Sequence, residues 1–185
     1  MHYLQEIKEF VPTCEQEAGD RRLMLEYLAQ HGDAALTRDC ELGHFTASSM
    51  IFNSARDKVL MIYHNIYNSW SWTGGHADGE VDLLQVAMRE AREETGIHTL
   101  QPLIGDLFAL DILTVCEHVK RGNYVSAHLH FNLSYLLEAD ETEALQMKED
   151  ENSGVRWIPV SQIKEFVTEP EMMPVYEKLI RGGQR

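Results

Sequence analysis

Residues 74–97 read GGHADGEVDLLQVAMREAREETGI, and the second half of this stretch decides the fold. Leu83, Leu84, Val86, Ala87, Met88 and Ala91 recur at helical spacing. Asp82 followed by Gln85 makes a capping pair, and Gly96 stands where a helix ends. The spacing predicts one helix from Leu83 to Thr95, entered from a glycine-containing loop. On such a helix, residues three and four apart share a face, so Glu90 stacks beside Glu93 and Glu94. Like charges at that spacing repel by about a few tenths of a kcal/mol in water, and by more where water is scarce. A bound divalent cation turns the repulsion into attraction, and oxygen-only ligands suit magnesium or manganese. Leu84, Met88, Ala91 and Thr95 form the opposite stripe, suited to burial against a sheet. The helix is expected to be half core and half metal site.

These residues resemble the Nudix box, G-x5-E-x7-R-E-U-x-E-E-x-G-U, in which U is a bulky aliphatic. Gly75, Arg89, Glu90, Glu93, Glu94, Gly96 and Ile97 fall in register. Two positions depart. Val81 stands where the pattern has its first glutamate, between Glu80 and Asp82, and Ala91 is small for a U position. Taken alone, E-E-x-G reads as a solvated acidic helix; the full register, glycines and arginine included, separates the two readings. The resemblance implies an α/β fold, the Nudix α/β/α sandwich with a mixed sheet, over residues 43–167. A helical extension (1–42) would precede it, and a C-terminal helix and tail (168–185) would pack on the same domain. It further implies Glu93 and Glu94 as metal ligands, Glu90 as a ligand or as the base that activates water, and Arg89 as the group that holds a glutamate in place. The Gly74 carbonyl would be an extra ligand, and the cofactor Mg2+ or Mn2+.

The activity implied is that of a pyrophosphohydrolase cleaving a nucleoside-diphosphate-type small molecule by water attack on phosphorus. GGHADG followed by HLHF resembles a bacterial subgroup of the family, which leaves the substrate open. The alternative is a non-catalytic Nudix-fold sensor of a nucleotide or metabolite. Val81 favours it, whereas a binding-only domain has no need of a repulsive acidic trio. Isomerisation of a prenyl diphosphate ranks last, because Cys116 is the only downstream thiol and has no evident partner.

The chain has 185 residues and a formal charge of -14. That length suits one domain with additions. That charge argues against unassisted binding to a nucleic acid polymer or an anionic membrane. It leaves a phosphorylated small molecule open, since site metals reverse the local sign. Cys14, Cys40 and Cys116 are odd in number and widely spaced, so they make neither a disulfide framework nor a zinc motif. Reduced thiols, with no signal-like N-terminus and no apolar run long enough to span a bilayer, make the cytoplasm the expected compartment. Family members are frequently dimers, so a homodimer is an option that the sequence leaves open.

Upstream of the box, residues 1–36 read as helical. Pro12 breaks a short amphipathic pattern, and Thr13 with Gln16 resembles a capping box for a second helix ending near Gly32. GHFTASSMIFN from Gly43 and KVLMIYHN from Lys58 read as strands joined by the turn SARD. Residues 65–73 read as a loop whose Tyr67, Trp70 and Trp72 are either core aromatics or a stacking surface for a flat ring. Downstream, residues 103–115 read as a strand pair or one bent strand, and 116–126 as a loop.

HLHFNLSYLLEA then reads as a strand. His128 and His130 fall on one face with Asn132 and Ser134 in line. A His-x-His pair can bind zinc or iron, but no third ligand stands out nearby in sequence. A contact to substrate phosphate, a role in proton transfer, or a hydrogen-bonded structural pair are the other readings. His76, in the loop before the helix, is a candidate substrate contact. Residues 138–151 hold seven acids and one lysine and read mostly as a solvated loop. Glu149, Asp150 and Glu151 are placed to supply one further acid to the site. A short helix, SQIKEF, and a final amphipathic helix from Glu171 to Arg181 complete the chain, and the GGQR tail is expected to fray.

Overall fold

Pro12 divides the first thirty residues into two helices, because it lacks an N–H and crowds the residue before it. They are α1 (Tyr3–Glu9) and α2 (Glu15–His31), with one 3-10 turn after them (Gly32–Leu36). The expected Thr13–Gln16 capping box does not form. The backbone N–H and hydroxyl of Thr13 both donate, at 2.8 Å, to Glu17. Cys14 occupies the N-cap without a side-chain capping bond, its thiol turned to the Gln16 side-chain oxygen. A buried carboxylate outcompetes a neutral amide as the acceptor.

The computed structural model describes residues 3–120, 122–148 and 152–185. After the helices come β1 (Gly43–Asn53), β2 (Lys58–His64), β3 (Ser69–Ser71) and β4 (Thr73–His76), then α3 (Leu83–Thr95). Next are β5 (Gln101–Pro102), β6 (Ala109–Val115), β7 (His118–Lys120), β8 (Asn123–Val125), β9 (His128–Ala139) and β10 (Asn152–Pro159). A 3-10 turn (Val160–Gln162), α4 (Ile163–Phe166) and α5 (Met173–Gly183) close the chain. Among the described residues, eight strands form one sheet on the path β10-β2-β1-β9-β5, with β3, β4 and β6 attached to β2, β1 and β9. β1 and β9 run parallel and the other pairs antiparallel, so the sheet is mixed.

β1 is buried along its whole length, as a strand covered on both faces must be. Phe45 and Ala47 share a core with Tyr3, Ile7, Met24 and Leu28 of α1 and α2 and with Leu83 and Val86 of α3. Ile51 continues that face against Met88 and Ala91. On the opposite face, Met50 and Phe52 pack with Val175, Tyr176 and Leu179 of α5. Helices therefore cover both sides of the sheet, an α/β architecture.

The other half of that second face is polar. Thr46 and Ser48 donate to the side-chain oxygen of Asn132 at 2.9 and 2.8 Å, and the Asn132 amide donates to Ser134 at 2.9 Å. With its hydrogen bonds made internally, this strip can be buried without cost from unpaired groups. It forms the floor of a cleft.

Three other expectations are corrected and a fourth is refined. Residues 65–73 carry strand β3 rather than loop throughout, because Ser69, Trp70 and Ser71 pair with β2. Residues 116–126 contain the hairpin β7–β8. The acidic segment after β9 is a largely exposed loop, as expected, but it does not float free. Gln146 N–H donates to the Thr95 carbonyl at 2.8 Å, and Glu143 accepts from His98 N–H at 2.8 Å. Nor does the GGQR tail fray from its start. Gly182 and Gly183 belong to α5, and a Cβ at either would collide with the ring of Phe108 or Phe52. The missing side chains let the helix lie directly on two aromatic rings.

The sheet edge at β6 is closed by a buried charge cluster. Lys178 of α5 lies 3.1 Å from Glu17 of α2 and 2.8 Å from Asp111 of β6. Burial pushes the Asp111 carboxyl up, and the Lys178 ammonium opposes that shift. This one cation joins the first and last long helices across the edge strand.

Candidate active site

A cleft of about 770 Å³ opens over the polar strip. One wall is the acidic face of α3. That helix starts as expected, with the Asp82 side chain accepting from Gln85 N–H at 3.3 Å, and ends at Gly96 in the left-handed conformation. A Cβ on Gly96 would meet Gln146, so the glycine serves both the turn and the close approach of the following loop.

Glu94 is buried and accepts from the Gly74 N–H at 3.0 Å. Glu90 lies against Gly75, where an added Cβ would stand 2.5 Å from its carboxyl carbon. Arg89 donates to Glu90 at 3.1 Å. Burial pushes the Glu90 carboxyl above its ordinary value, and the Arg89 bond and charge oppose the shift. Glu93 is half exposed, 3.2 Å from the ammonium of Lys148 and 3.9 Å from Arg89. The three carboxylates thus line one cleft, each held by a different positive or N–H group that offsets their mutual repulsion. They do not converge on one point.

The position of Val81 has a local explanation. Its carbonyl accepts from Tyr3 N–H at 3.1 Å, and its side chain is exposed. Glu80 folds back onto the N–H groups of Val81 and Asp82 at 2.8 and 3.1 Å. The carboxylate next to the vacant box position therefore caps the loop entering α3.

The facing wall is made of histidines. His76, His128 and His130 all line the cleft, and the structure adds His44, which sequence reasoning missed. Among the described residues, the one group of three metal-capable side chains with ligand atoms all within 4.8 Å of one another is His44, His76 and His130. Their proximity comes from register. His44 sits opposite His130 in the parallel β1–β9 ladder, and Thr46 sits opposite His76 in the β1–β4 ladder. The two HF dipeptides, at 44–45 and 130–131, were the available signal, because a parallel pairing of their strands places the rings side by side.

Burial, and then the neighbouring imidazoles and Arg38, push His130 down to about 2. Burial also lowers His44.

Trp72 reaches the cleft only marginally. It is 9% exposed and packs edge-on against Tyr176, ring centroids 5.4 Å apart, so it serves mainly as core. Tyr67 instead stacks on His64 at 4.4 Å, and both line the cleft. Arg38 grips Asp78 at 2.8 Å and 2.5 Å and fixes the turn after His76. Lys148, Arg38 and His64 were missed in the sequence because they come from three segments far apart in the chain, two loops and the end of β2. Glu149, Asp150 and Glu151 lie outside the described residues.

Comparison with known proteins follows the same lines. The NUDIX domain family profile matches residues 43–180. The chain is 27% identical over 142 residues to a probable DHNTP pyrophosphohydrolase of Lactococcus lactis subsp. cremoris strain MG1363, covering 76% of this chain and 80% of that protein. It is 23% identical over 126 residues to the Nudix hydrolase YvcI of Bacillus subtilis strain 168, covering 68% of this chain and 73% of that one. Among solved structures it is similar in fold to a C. elegans Ap4A hydrolase, with a TM-score of 0.53 and 18% identity over 75% of this chain and 96% of that chain. With the family profile spanning most of its length and the box helix forming one wall of its cleft, the chain belongs to the Nudix family, as a pyrophosphohydrolase-type enzyme.

Proposed function

We propose that the chain is a Mg2+- or Mn2+-dependent hydrolase that cleaves a diphosphate linkage in a nucleoside-diphosphate-type small molecule. The carrying observation is that Glu90, Glu93 and Glu94, in box register on one helix, line a single large cleft. The residues present fit a hard divalent cation. The donor set on this wall is all oxygen, and the Glu90 carboxylate is desolvated with only partial compensation from Arg89. In this reading Glu93 and Glu94 hold the ion, with the Gly74 carbonyl as an extra ligand, and Glu90 stands beside them as a third ligand or as the base. When bound, such an ion neutralises the diphosphate and polarises its phosphorus–oxygen bonds.

This chain's own residues do the rest. Glu90 accepts a proton from the attacking water, whose oxygen forms a bond to phosphorus while the bridging oxygen departs. Arg89 orients Glu90 and Glu93. Arg38 and Lys148 add positive charge at the cleft rim, where a charged leaving group passes. The stacked His64–Tyr67 pair offers a flat surface for a ring. His76, His128 and His130 contact the substrate side of the cleft, and Trp72 contributes only an edge. The catalytic domain is residues 43–167, with 1–42 and 168–185 as helical additions clasped together by Lys178. The Lactococcus relative supports the reaction class and leaves the substrate of this chain open.

The test is a phosphate-release panel at alkaline pH with Mg2+ and then Mn2+. It holds nucleoside triphosphates, nucleotide sugars, ADP-ribose, NADH, dinucleoside polyphosphates and coenzyme A, with phosphatase added to expose phosphomonoester products. Turnover of one compound class, abolished by chelator, is expected. Val81 at the first box position favours one second reading, a sensor that binds a nucleotide. A thermal shift with a nucleotide and no product on the panel would select it over hydrolysis.

A further inference from the structure

The acidic helix accounts for one wall of the cleft and leaves the histidine wall without a chemical role beyond contact. Three strands, β4, β1 and β9, each place one imidazole over the same point. The ring centroids of His44, His76 and His130 form a nearly equilateral triangle with sides of 5.0, 5.2 and 5.0 Å. His44 is buried, and its Nδ1 faces the Cys40 carbonyl at 3.3 Å. A carbonyl only accepts, so Nδ1 carries the proton and Nε2 presents a lone pair. That Nε2 is buried with no hydrogen-bond partner. Buried acceptors are rarely left in that condition, and a carbonyl bonded to the far nitrogen is the usual way to orient a metal-ligating histidine.

A fourth ring repeats the pattern. His128 directs its Nδ1 to the Ser126 carbonyl at 2.8 Å, which leaves its Nε2 as a lone pair as well. That atom accepts a hydrogen bond from Nε2 of His130 at 3.2 Å, a contact that a cation held by both rings would replace. Two imidazoles on one tetrahedral cation, with bonds of about 2.0–2.1 Å, stand at a similar separation of roughly 3.3 Å.

We propose that His44, His76 and His130 form a second cation site, separate from the acidic helix, that takes a borderline divalent transition metal, Zn2+ foremost, with His128 beside its fourth position. Neutral imidazoles suit zinc, copper, iron or nickel and bind magnesium poorly, so the two walls select different ions. The chain passes directly from the acidic wall to this site along β4. Gly74 and Gly75 serve Glu94 and Glu90, and the next residue is His76.

The test uses the full chain, stripped with chelator, desalted and kept free of magnesium. Co2+ is titrated as a spectroscopic probe and then displaced with Zn2+. One Co2+ per chain, with visible bands of nitrogen ligation and displacement by one Zn2+, is expected. His76→Gln and His130→Gln should each weaken Zn2+ binding roughly 100-fold or more, and Glu93→Gln should leave it unchanged. His76 lies at the end of a short strand and is only partly buried, so its variant keeps the test valid if a more buried one misfolds. A wild-type chain that binds neither ion, histidine variants that bind as wild type does, or loss of binding in Glu93→Gln instead would each overturn the proposal. None of these readouts depends on hydrolysis, so the second site can fail while the enzyme reading stands, and the reverse.

Discussion

The two walls of the cleft are built in opposite ways. The acidic wall comes from one element, and its three glutamates lie within five residues on one helix face. The histidine wall comes from three strands that span residues 44 to 130. Yet the scattered set is the converged one, with ligand atoms within 4.8 Å of one another, while the contiguous set is spread among Gly74, Arg89 and Lys148. Charge explains the difference. Carboxylates repel and each settles on its own partner, whereas neutral rings tolerate close packing. A helix period advertises a site in sequence without closing it, and a sheet register closes a site without advertising it.

That contrast can be broken at several points. The largest effect is expected from Glu93→Gln, which removes one charge from the acidic wall and leaves the histidines untouched. Turnover of the panel substrate should fall by about 10²-fold or more with the melting temperature unchanged. A loss below threefold would show that the acidic wall is not the reacting one.

Lys178→Ala tests whether both walls hang on the same frame. It strands the buried Glu17 and Asp111, and breaking such a cluster costs about 3–5 kcal/mol. Urea unfolding should show that loss, while kcat of the remaining folded protein stays near wild type.

A smaller effect is expected at the hinge between the walls. Gly75→Ala puts a methyl 2.5 Å from the Glu90 carboxyl carbon, so Glu90 must shift. Activity should drop by roughly tenfold, since a displacement of about an ångström at a catalytic group is felt strongly. Zn2+ binding at the neighbouring His76 should change less than activity does.

The smallest effect lies away from both walls, at Glu6. It is buried and bonded to the Tyr135 hydroxyl at 2.9 Å, and burial raises its pKa. A raised carboxyl pKa means the folded state holds its proton longer than the unfolded chain does. The associated stability is present below the unfolded value, near 4.3, and is lost as pH rises through the folded value. Glu6→Gln should melt at or above wild type at pH 7, and the gap should close toward pH 4. A gap independent of pH would exclude this account.

The box helix was legible down to its caps, because Asp82, the apolar stripe and Gly96 are local signals of one period. Strand β9 was legible for the same reason. The histidine triangle was not, because it depends on β1 and β9 pairing in parallel across 86 residues with Thr46 and Asn132 bonded between them. No local pattern states a register. Trp72 was misjudged in emphasis, because an aromatic beside a cleft and an aromatic beneath it read alike until Tyr176 of α5 arrives to cover one. The helical end at Gly182 and Gly183 was missed, because glycine reads as a breaker unless the rings of Phe108 and Phe52 are known to lie against it.

The most direct test of the central claim is Glu94→Gln on the panel substrate at saturating Mg2+, with a thermal melt of the same sample. Glutamine keeps an acceptor for the Gly74 N–H and removes the charge. Turnover lowered by at least about 100-fold, with the melting temperature preserved, is the predicted result. Wild-type turnover in that variant would contradict the assignment of α3 as the reacting wall.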